Sequence, residues 1–123
     1  MKLVLSNVSG IPIYNQIKQQ IISAILSEDV VDGEMLPSLR QLAKELKVSV
    51  LTTTRAYTEL EQEGFIVTVQ GKGCFVITKG SEKVRAQLAR KTEAALTDTV
   101  RLAQRAGLTK AELITMLNKL MEE

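Results

Sequence analysis

The side chains able to do chemistry in this chain are mainly basic and hydroxyl groups, and they are concentrated in its middle third. Between residues 35 and 58 one acid, Glu45, stands among four basic side chains, Arg40, Lys44, Lys47 and Arg55. The same stretch contains a cluster of hydroxyl groups: Ser49, Thr52, Thr53 and Thr54. Proteins direct such donors at phosphates and at the edges of bases. The pattern therefore allows a basic nucleic-acid-binding face, with an ordinary solvated surface of mixed charge as the alternative.

Catalytic and metal-binding chemistry is poorly represented. The chain has no histidine and a single cysteine, Cys74, whereas histidine is the commonest general base and metal ligand. It also contains no glycine-rich phosphate loop and no nucleophile elbow. We therefore expect no enzyme activity, no metal and no cofactor. We interpret Cys74 as a small strand residue rather than a redox sensor, because the sequence shows no partner for a reactive thiol.

Length and composition limit the domain organisation and the location. The 123 residues, 45% of them hydrophobic, suit one small domain with an appendage. No run of about eighteen apolar residues occurs, so we expect no membrane span, and the apolar stretch near the N-terminus is too short for a secretory signal. A single cysteine fits a reducing cytoplasm. The net charge of +2 is too small to indicate a nucleic-acid partner by itself.

Three helical patterns occupy the N-terminal half of the chain. The first follows Pro12, with apolar residues three and four positions apart: Tyr14, Ile17, Ile21 and Ile25. It ends in an acidic stretch where Asp32-Gly33 predicts a turn. A second helix begins at Ser38, which Gln41 could join in a capping box. After a short break, Ser49 could cap a third helix, from about residue 50 to residue 63.

The order of the next elements predicts the fold class. Two runs rich in β-branched residues, 65–69 and 74–78, flank a glycine-containing turn and predict a β-hairpin. Two short helices joined by a tight turn and followed by a hairpin are the order of a winged helix-turn-helix. We predict an α+β fold: an N-terminal winged helix-turn-helix (three helices and a β-hairpin wing) at residues 1–79, with a C-terminal two-helix dimerisation tail at residues 80–123.

The C-terminal region shows a purely helical pattern. A long helix from about Glu82 to Arg105 is followed by Gly107 and by a short helix that Thr109 and Glu112 could cap. About 40 residues in two helices are too few to form a core alone. We therefore predict homodimerisation through their apolar side chains, with packing on the same chain as the alternative. The residues predicted to lie at the interface are Leu88, Ala95, Leu102, Leu113, Leu117 and Leu120.

The third helix is the candidate recognition helix. In a helix-turn-helix, the N-terminal residues of the second helix of the motif meet base edges in the major groove. Here these residues are Ser49, Thr52, Thr53, Thr54 and Arg55. Ser49 and Thr52 have an alternative role as helix caps. Arg55 could be a solvated surface arginine, but its place on the presumed groove-facing helix favours a DNA contact.

Several short motifs follow one another between residues 11 and 78. They are Pro12-Ile13-Tyr14 with Gln16-Ile17, Leu36-Pro37-Ser38-Leu39-Arg40-Gln41-Leu42-Ala43, Val48-Ser49, Thr52, Arg55-Ala56-Tyr57, Leu60-Glu61 with Glu63-Gly64, and Gly71-Lys72-Gly73-Cys74-Phe75-Val76. Together they resemble the GntR family of bacterial regulators. The short helical tail resembles the YtrA-type subgroup of that family.

The resemblance implies roles for individual residues. Arg40 matches a position that contacts DNA, and Ser49, Thr52 and Arg55 match recognition-helix positions. Ser38 caps its helix, whose N-terminus is also suited to a phosphate. The wing tip, which in the family reaches the minor groove or its phosphates, consists of Gln70, Gly71 and Lys72. The C-terminal part is implied to serve dimerisation.

Two residues of the recognition helix depart from the family pattern. Val50 and Leu51 stand where many members have polar or basic residues, or a proline and an asparagine. Their side chains cannot make bidentate bonds to bases. Either one of them contacts a thymine methyl group, or both pack inward and Thr53 and Thr54 carry the readout.

The implied function is a sequence-specific DNA-binding transcription regulator, expected to repress as a homodimer on a near-palindromic operator. Expected partners are double-stranded operator DNA, a second copy of the chain and an unknown small-molecule effector. An effector pocket between protomers, lined by residues such as Leu102, Met116 and Leu120, is the alternative to a plain dimer core. A different class, a winged-helix module that docks proteins, would show large apolar or aromatic anchors on its exposed face.

Overall fold

The computed structural model describes residues 1–122, which form five helices and one hairpin. In chain order these are α1 (Ile13–Leu26), α2 (Leu39–Leu46), α3 (Val50–Gln62), β1 (Ile66–Val69), β2 (Gly73–Val76), α4 (Glu82–Ala106) and α5 (Lys110–Met121). The predicted fold class, a winged helix-turn-helix followed by two helices, is confirmed.

Local capping sets the ends of α2 and α3. The hydroxyl oxygen of Ser38 accepts a hydrogen bond from the Gln41 N–H at 3.1 Å, so Ser38 is an N-cap as predicted. The capping box predicted there is wrong, because the Gln41 amide donates to Glu45 instead. Lys47 ends α2 in the left-handed conformation, with φ 57°, and so permits the tight turn into Ser49. Ser49 in turn accepts from the Thr52 N–H at 3.1 Å.

The core of the N-terminal region lies between α1, α3 and the hairpin. Apolar residues at helical spacing on α1 and α3 are buried there: Ile17, Ile21, Ile25, Ala56 and Leu60. Leu42 of α2 and Phe65, the residue before β1, are buried with them. Tyr57 is buried as well, and its hydroxyl group donates to the Pro37 carbonyl at 2.7 Å. That bond ties the middle of α3 to the residue that precedes the cap of α2.

The wing is fixed to the chain that leads into α2. Strands β1 and β2 pair antiparallel, from Ile66 opposite Val76 to Val69 opposite Gly73. The other edge of β2 pairs with residues 33–36, because the Leu36 N–H donates to the Cys74 carbonyl at 2.9 Å and the Gly33 N–H to the Val76 carbonyl at 2.8 Å. The predicted Asp32-Gly33 turn is present, with Gly33 at φ 84°. The wing and the start of α2 are therefore neighbours.

Two glutamines one turn apart on α1 hold the N-terminal segment. The Gln20 side chain accepts from the Val4 N–H and donates to the Val4 carbonyl. Gln16 forms the same pair of bonds with Ser6 and also donates to the Ile11 carbonyl. These amides satisfy backbone groups as a neighbouring strand would, which explains how a buried Gln16 is tolerated.

The chain divides into two compact units. The first extends from Met1 to Gln87 and includes the start of α4, whose Val84 is buried. The predicted division between residues 79 and 80 lies at a turn before α4 and stays a prediction. In the second unit the Leu108 N–H bonds to the Ala103 carbonyl, and Thr109 and Glu112 form the predicted capping box at the start of α5. None of the helices within residues 1–122 is long and apolar enough to span a membrane.

Candidate nucleic-acid interface

The start of α2 and the tip of the wing each place a basic side chain at one cavity of the first unit, which the acidic Glu34 also lines. Arg40 and Lys72 both line a cavity of about 750 Å³, along with Ser38. These residues are more than 30 positions apart in the sequence, and the pairing of residues 33–36 with β2 brings them together. Both basic side chains are exposed. The fold thus joins two basic stretches of the sequence into a surface able to hold phosphate oxygens.

The outward face of α3 is defined by its buried face. Thr53, Ala56, Tyr57 and Leu60 are buried at steps of three and four residues. The opposite side of the helix carries side chains at the same kind of step, all of them exposed: Leu51, Arg55, Thr58 and Gln62. A groove or a partner that meets α3 from outside therefore meets Leu51 and Arg55 at its N-terminal end.

Arg55 is held by residues of two helices. Its guanidinium carbon lies 3.7 Å from the centre of the Tyr14 ring on α1, the distance of a cation–π contact. Its Nε atom also lies 3.3 Å from the Glu59 carboxylate, one turn further along α3. The guanidinium is thus oriented before any ligand binds, while the side chain stays exposed.

Lys18 extends this cluster along the α1–α3 contact. Its ammonium group lies 3.1 Å from a Glu59 oxygen and also pairs with Glu63. The hydrogen bond with Glu63 is the main cause that raises the pKa of Lys18, and the hydrogen bond from Lys18 is the main cause that lowers the pKa of Glu59. Glu59 is therefore an anion shared between Lys18 and Arg55, and it fixes Arg55 relative to α1.

The hydroxyl groups at the start of α3 are engaged within the helix. Ser49 caps it, and the Ser49 and Thr52 hydroxyls lie 2.8 Å apart. Thr54 donates its hydroxyl proton to the Val50 carbonyl at 2.8 Å. The capping role of Ser49 is thus seen directly, while DNA contacts by Ser49, Thr52 and Thr54 stay predictions.

The prediction that Thr53 contacts bases is wrong. Its side chain is 0% exposed, and its hydroxyl group donates to the Leu39 and Val50 carbonyls at 3.0 and 2.9 Å. Thr53 therefore joins α3 to the start of α2 inside the motif. Val50 and Leu51, by contrast, are 43% and 81% exposed. The alternative in which both pack inward is wrong as well.

The tip of the wing is open to solvent. Gln70, Gly71 and Lys72 are all exposed, and Gly71 has φ 80°, a left-handed conformation that glycine adopts without strain. The Lys72 N–H closes the turn on the Val69 carbonyl at 2.9 Å. The tip is thus free to approach a phosphate backbone, and its DNA contacts stay predictions.

The second unit leaves most of its predicted interface residues uncovered within one protomer. Leu113 is half-buried, and the others are exposed: Leu88, Ala95, Leu102, Leu117 and Leu120. No described residue of α5 is buried. An amphipathic helix pair normally covers such an apolar face, so this one is incompletely packed as a single copy.

Known proteins with the same organisation decide the family. The model of the bacterial regulatory proteins of the gntR family matches residues 13–76, the region from α1 to the end of the wing. The chain belongs to the GntR family. It is therefore a DNA-binding transcription regulator, and the resemblance predicted from its motifs is confirmed.

Other transcription regulators resemble this chain over most of its length. The HTH-type transcriptional regulator YhcF of Bacillus subtilis (strain 168) is 33% identical over 108 residues, 86% of this chain and 87% of the relative. The structure of YtrA from Sulfolobus acidocaldarius, a GntR-family transcription factor, has a TM-score of 0.60 and 38% identity, covering 77% of this chain and 97% of that one. The YtrA-type assignment is thereby confirmed.

One solved relative holds DNA. The structure of AraR(DBD) in complex with operator ORX1 has a TM-score of 0.55 and 26% identity, covering 62% of this chain and 95% of that one. The region in common is the size of the winged helix-turn-helix. A domain of similar fold thus binds operator DNA.

Two residues that hold Arg55 were missed by sequence reasoning. The sequence pattern places Tyr14 on the apolar face of α1 and assigns no role to Glu59. Both orient Arg55. The spacing of Arg55 and Glu59, four residues apart on one helix, is a signal that could have revealed the ion pair. The Tyr14 contact joins two helices and leaves no local signal.

Proposed function

We propose that two copies of this chain bind a near-palindromic operator and repress transcription by occupying the promoter. The observation that carries the proposal is the meeting of Arg40 and Lys72 at one cavity in a winged helix-turn-helix whose α3 carries an exposed, oriented Arg55. Two basic side chains at this place suit the phosphates on either side of a groove occupied by α3. The AraR–operator structure supports the proposal, because that domain of similar fold is in complex with an operator.

Each predicted contact then has a defined part in the complex. Arg55 faces base edges in the major groove from the N-terminal half of α3, flanked by Thr52 and Thr54. Arg40 and Lys72 neutralise phosphates. The N-termini of α2 and α3, capped by Ser38 and Ser49, direct their free N–H groups toward other phosphates. Gln70 and Gly71 bring the wing close to the minor groove. Such contacts make affinity depend strongly on salt.

The partner that completes the second unit is, in this proposal, another copy of the chain. The uncovered apolar residues on α4 recur at seven-residue steps as Leu88, Ala95 and Leu102, and α5 adds Leu113, Leu117 and Leu120. Two-fold symmetry between copies matches two-fold symmetry between half-sites about one helical turn apart. The dimer acts in the cytoplasm, and a small-molecule effector would bind between protomers beside Leu102, Met116 and Leu120.

Salt-dependent binding of charge variants tests the phosphate contacts. Arg40→Ala and Lys72→Ala should each reduce the slope of log affinity against log salt by about two, because each removes about one phosphate contact from each of the two protomers on the operator. Lys91→Ala is the matched control, since Lys91 is an exposed lysine on α4. Unchanged slopes for both Arg40→Ala and Lys72→Ala would contradict this interface.

A further inference from the structure

An exposed apolar pair opens the recognition helix. Val50 is 43% exposed and Leu51 is 81% exposed, directly after the Ser49 cap. Apolar side chains that are exposed side by side on a protein often mark a site of interaction. Leu51 also begins the outward face of α3 that continues with Arg55, one turn later.

Leu51, but not Val50, lines a shallow hollow that has apolar walls and one charged edge. Its volume is about 270 Å³, and it is lined by Ile13, Tyr14, Leu51, Thr52 and Arg55. Since Tyr14 and Glu59 fix Arg55, the aliphatic Leu51 and the guanidinium lie side by side in a defined arrangement. Two adjacent chemical features of a ligand, one apolar and one accepting hydrogen bonds, fit this arrangement.

The neighbouring hydroxyl groups leave this end of α3 with few free donors. Thr53 is buried and donates to two carbonyls, and Thr54 donates to the Val50 carbonyl. The Ser49 and Thr52 hydroxyls are bonded to each other. One hydroxyl proton of the Ser49–Thr52 pair stays free, and beside it the first turn presents outward mainly the methyl groups of Val50 and Leu51.

We propose that Val50 and Leu51 read thymine by packing on its C5-methyl group. In the major groove thymine presents a methyl group where the other bases present hydrogen-bonding atoms or a bare ring edge. The inference rests on the proposed function, because it assumes that α3 enters the major groove. It adds that recognition depends on apolar contact with thymine beside the base that Arg55 meets.

Replacing thymine with deoxyuridine isolates the methyl group, because the two bases form the same pairs and differ only in that group. The operator is first identified by selection from randomised duplex DNA. Each thymine of one half-site is then changed to deoxyuridine in turn, and the affinity of the full-length chain for each DNA is measured. At a contacted thymine we expect affinity to fall about fourfold for each methyl lost, and about sixteenfold for both half-sites. Deoxyuridine in the flanking sequence is the DNA control and should have no effect.

Protein variants connect the effect to the two side chains. Val50→Ala and Leu51→Ala should each remove the thymine-over-deoxyuridine preference at one or more positions. Thr58→Ala, an exposed residue two turns along the same helix, should retain it. Melting temperatures check that the variants remain folded, which the exposure of both side chains leads us to expect.

The outcomes separate this inference from the proposed function. If the parent protein binds its operator specifically but tolerates deoxyuridine at every position, methyl readout is wrong and operator binding stands. The same holds if the Val50→Ala/Leu51→Ala double variant keeps the full preference. If the parent shows no specific DNA binding at all, both are overturned, and the apolar pair is then an anchor for a protein partner.

Discussion

The guanidinium carbon of Arg55 lies 3.7 Å from the centre of the Tyr14 ring, so a side chain of α1 sets the direction of a basic side chain on α3. Glu59 accepts a hydrogen bond from the Nε of the same guanidinium and itself pairs with Lys18 of α1. A free arginine side chain samples many rotamers. Holding it in one rotamer before binding lowers the entropic cost of binding. The orientation of Arg55 is therefore part of the folded structure and not a product of DNA binding.

Tyr14→Leu should weaken operator binding while Tyr14→Phe should not. The leucine variant removes the aromatic face beneath Arg55, whereas phenylalanine keeps it. A cation–π contact at an exposed site contributes about 0.5–1 kcal/mol in each protomer, so we expect the affinity of a dimer for both half-sites to fall about five- to thirtyfold. Fluorescence anisotropy with a labelled operator measures the change. Equal affinities for Tyr14→Leu and the parent protein would show that Arg55 needs no support from α1.

Thr53→Val should lower stability without altering sequence preference. The substitution keeps the shape of the buried side chain but removes the hydroxyl group that donates to the Leu39 and Val50 carbonyls. We expect a loss of about 1 kcal/mol in the free energy of unfolding, measured by urea denaturation. Thr58→Val, at an exposed site on the same helix, is the control and should change stability little. A changed operator preference for Thr53→Val would mean that this residue reaches DNA.

The acid stability of the wing should depend on Asp32. Its carboxylate accepts hydrogen bonds from the Thr78 and Lys79 N–H groups at 2.6 and 3.1 Å. These bonds, the one from Thr78 first, lower the pKa of Asp32 below its ordinary value of 3.8. Because the folded pKa is lowered, the stabilisation is fully present above 3.8 and is lost as pH falls through the folded pKa.

Asp32→Asn tests this linkage, since asparagine resembles the protonated acid. Near neutral pH the variant should melt below the parent protein, and the difference should shrink as pH falls below 3.8. Thermal melts across this range measure the difference. Glu28→Gln provides a control at another exposed acid of the same connection. A difference in melting temperature that is constant with pH would contradict a role for the carboxylate charge.

Leu102→Glu should convert a dimer into a monomer. Leu102 is 66% exposed within one protomer, and in a dimer its burial would leave no water for a carboxylate. Gln104→Glu makes the same change of charge two residues away and should remain dimeric. Sedimentation equilibrium gives the mass of each variant. In the monomer the two DNA-binding domains are no longer joined, so operator binding should also weaken about 10²-fold. A dimeric Leu102→Glu would place the interface elsewhere.

The sequence indicated correctly those elements that depend on local signals. Ser38, Ser49 and Thr109 are caps, Gly64 and Gly107 follow helix ends, and the glycine turn of the wing lies where its flanking strands require. These features depend on the preferences of a few neighbouring residues. The same locality explains the order of elements, from which the fold class followed.

It was harder to predict which side chains of α3 face the core and which face the solvent. Polar Thr53 is buried and apolar Leu51 is exposed, the reverse of what polarity alone suggests. The spacing of Thr53 with Ala56, Tyr57 and Leu60 held the necessary signal, since these four share one helical face. No comparable signal existed for the contacts that orient Arg55 or for the bonds of Gln16 and Gln20 to the N-terminal segment, because these join residues of different elements.

Selection from randomised duplex DNA, with the full-length chain at fixed near-physiological salt, tests the central claim most directly. We predict enrichment of a short inverted repeat whose half-sites contain thymine and lie about one helical turn apart. The Arg55→Ala variant should bind this repeat more weakly than the parent protein does. Weak binding that falls with salt and enriches no sequence would contradict the account. It would then place the partner of α3 among proteins, since Leu51 would remain exposed and unexplained by DNA.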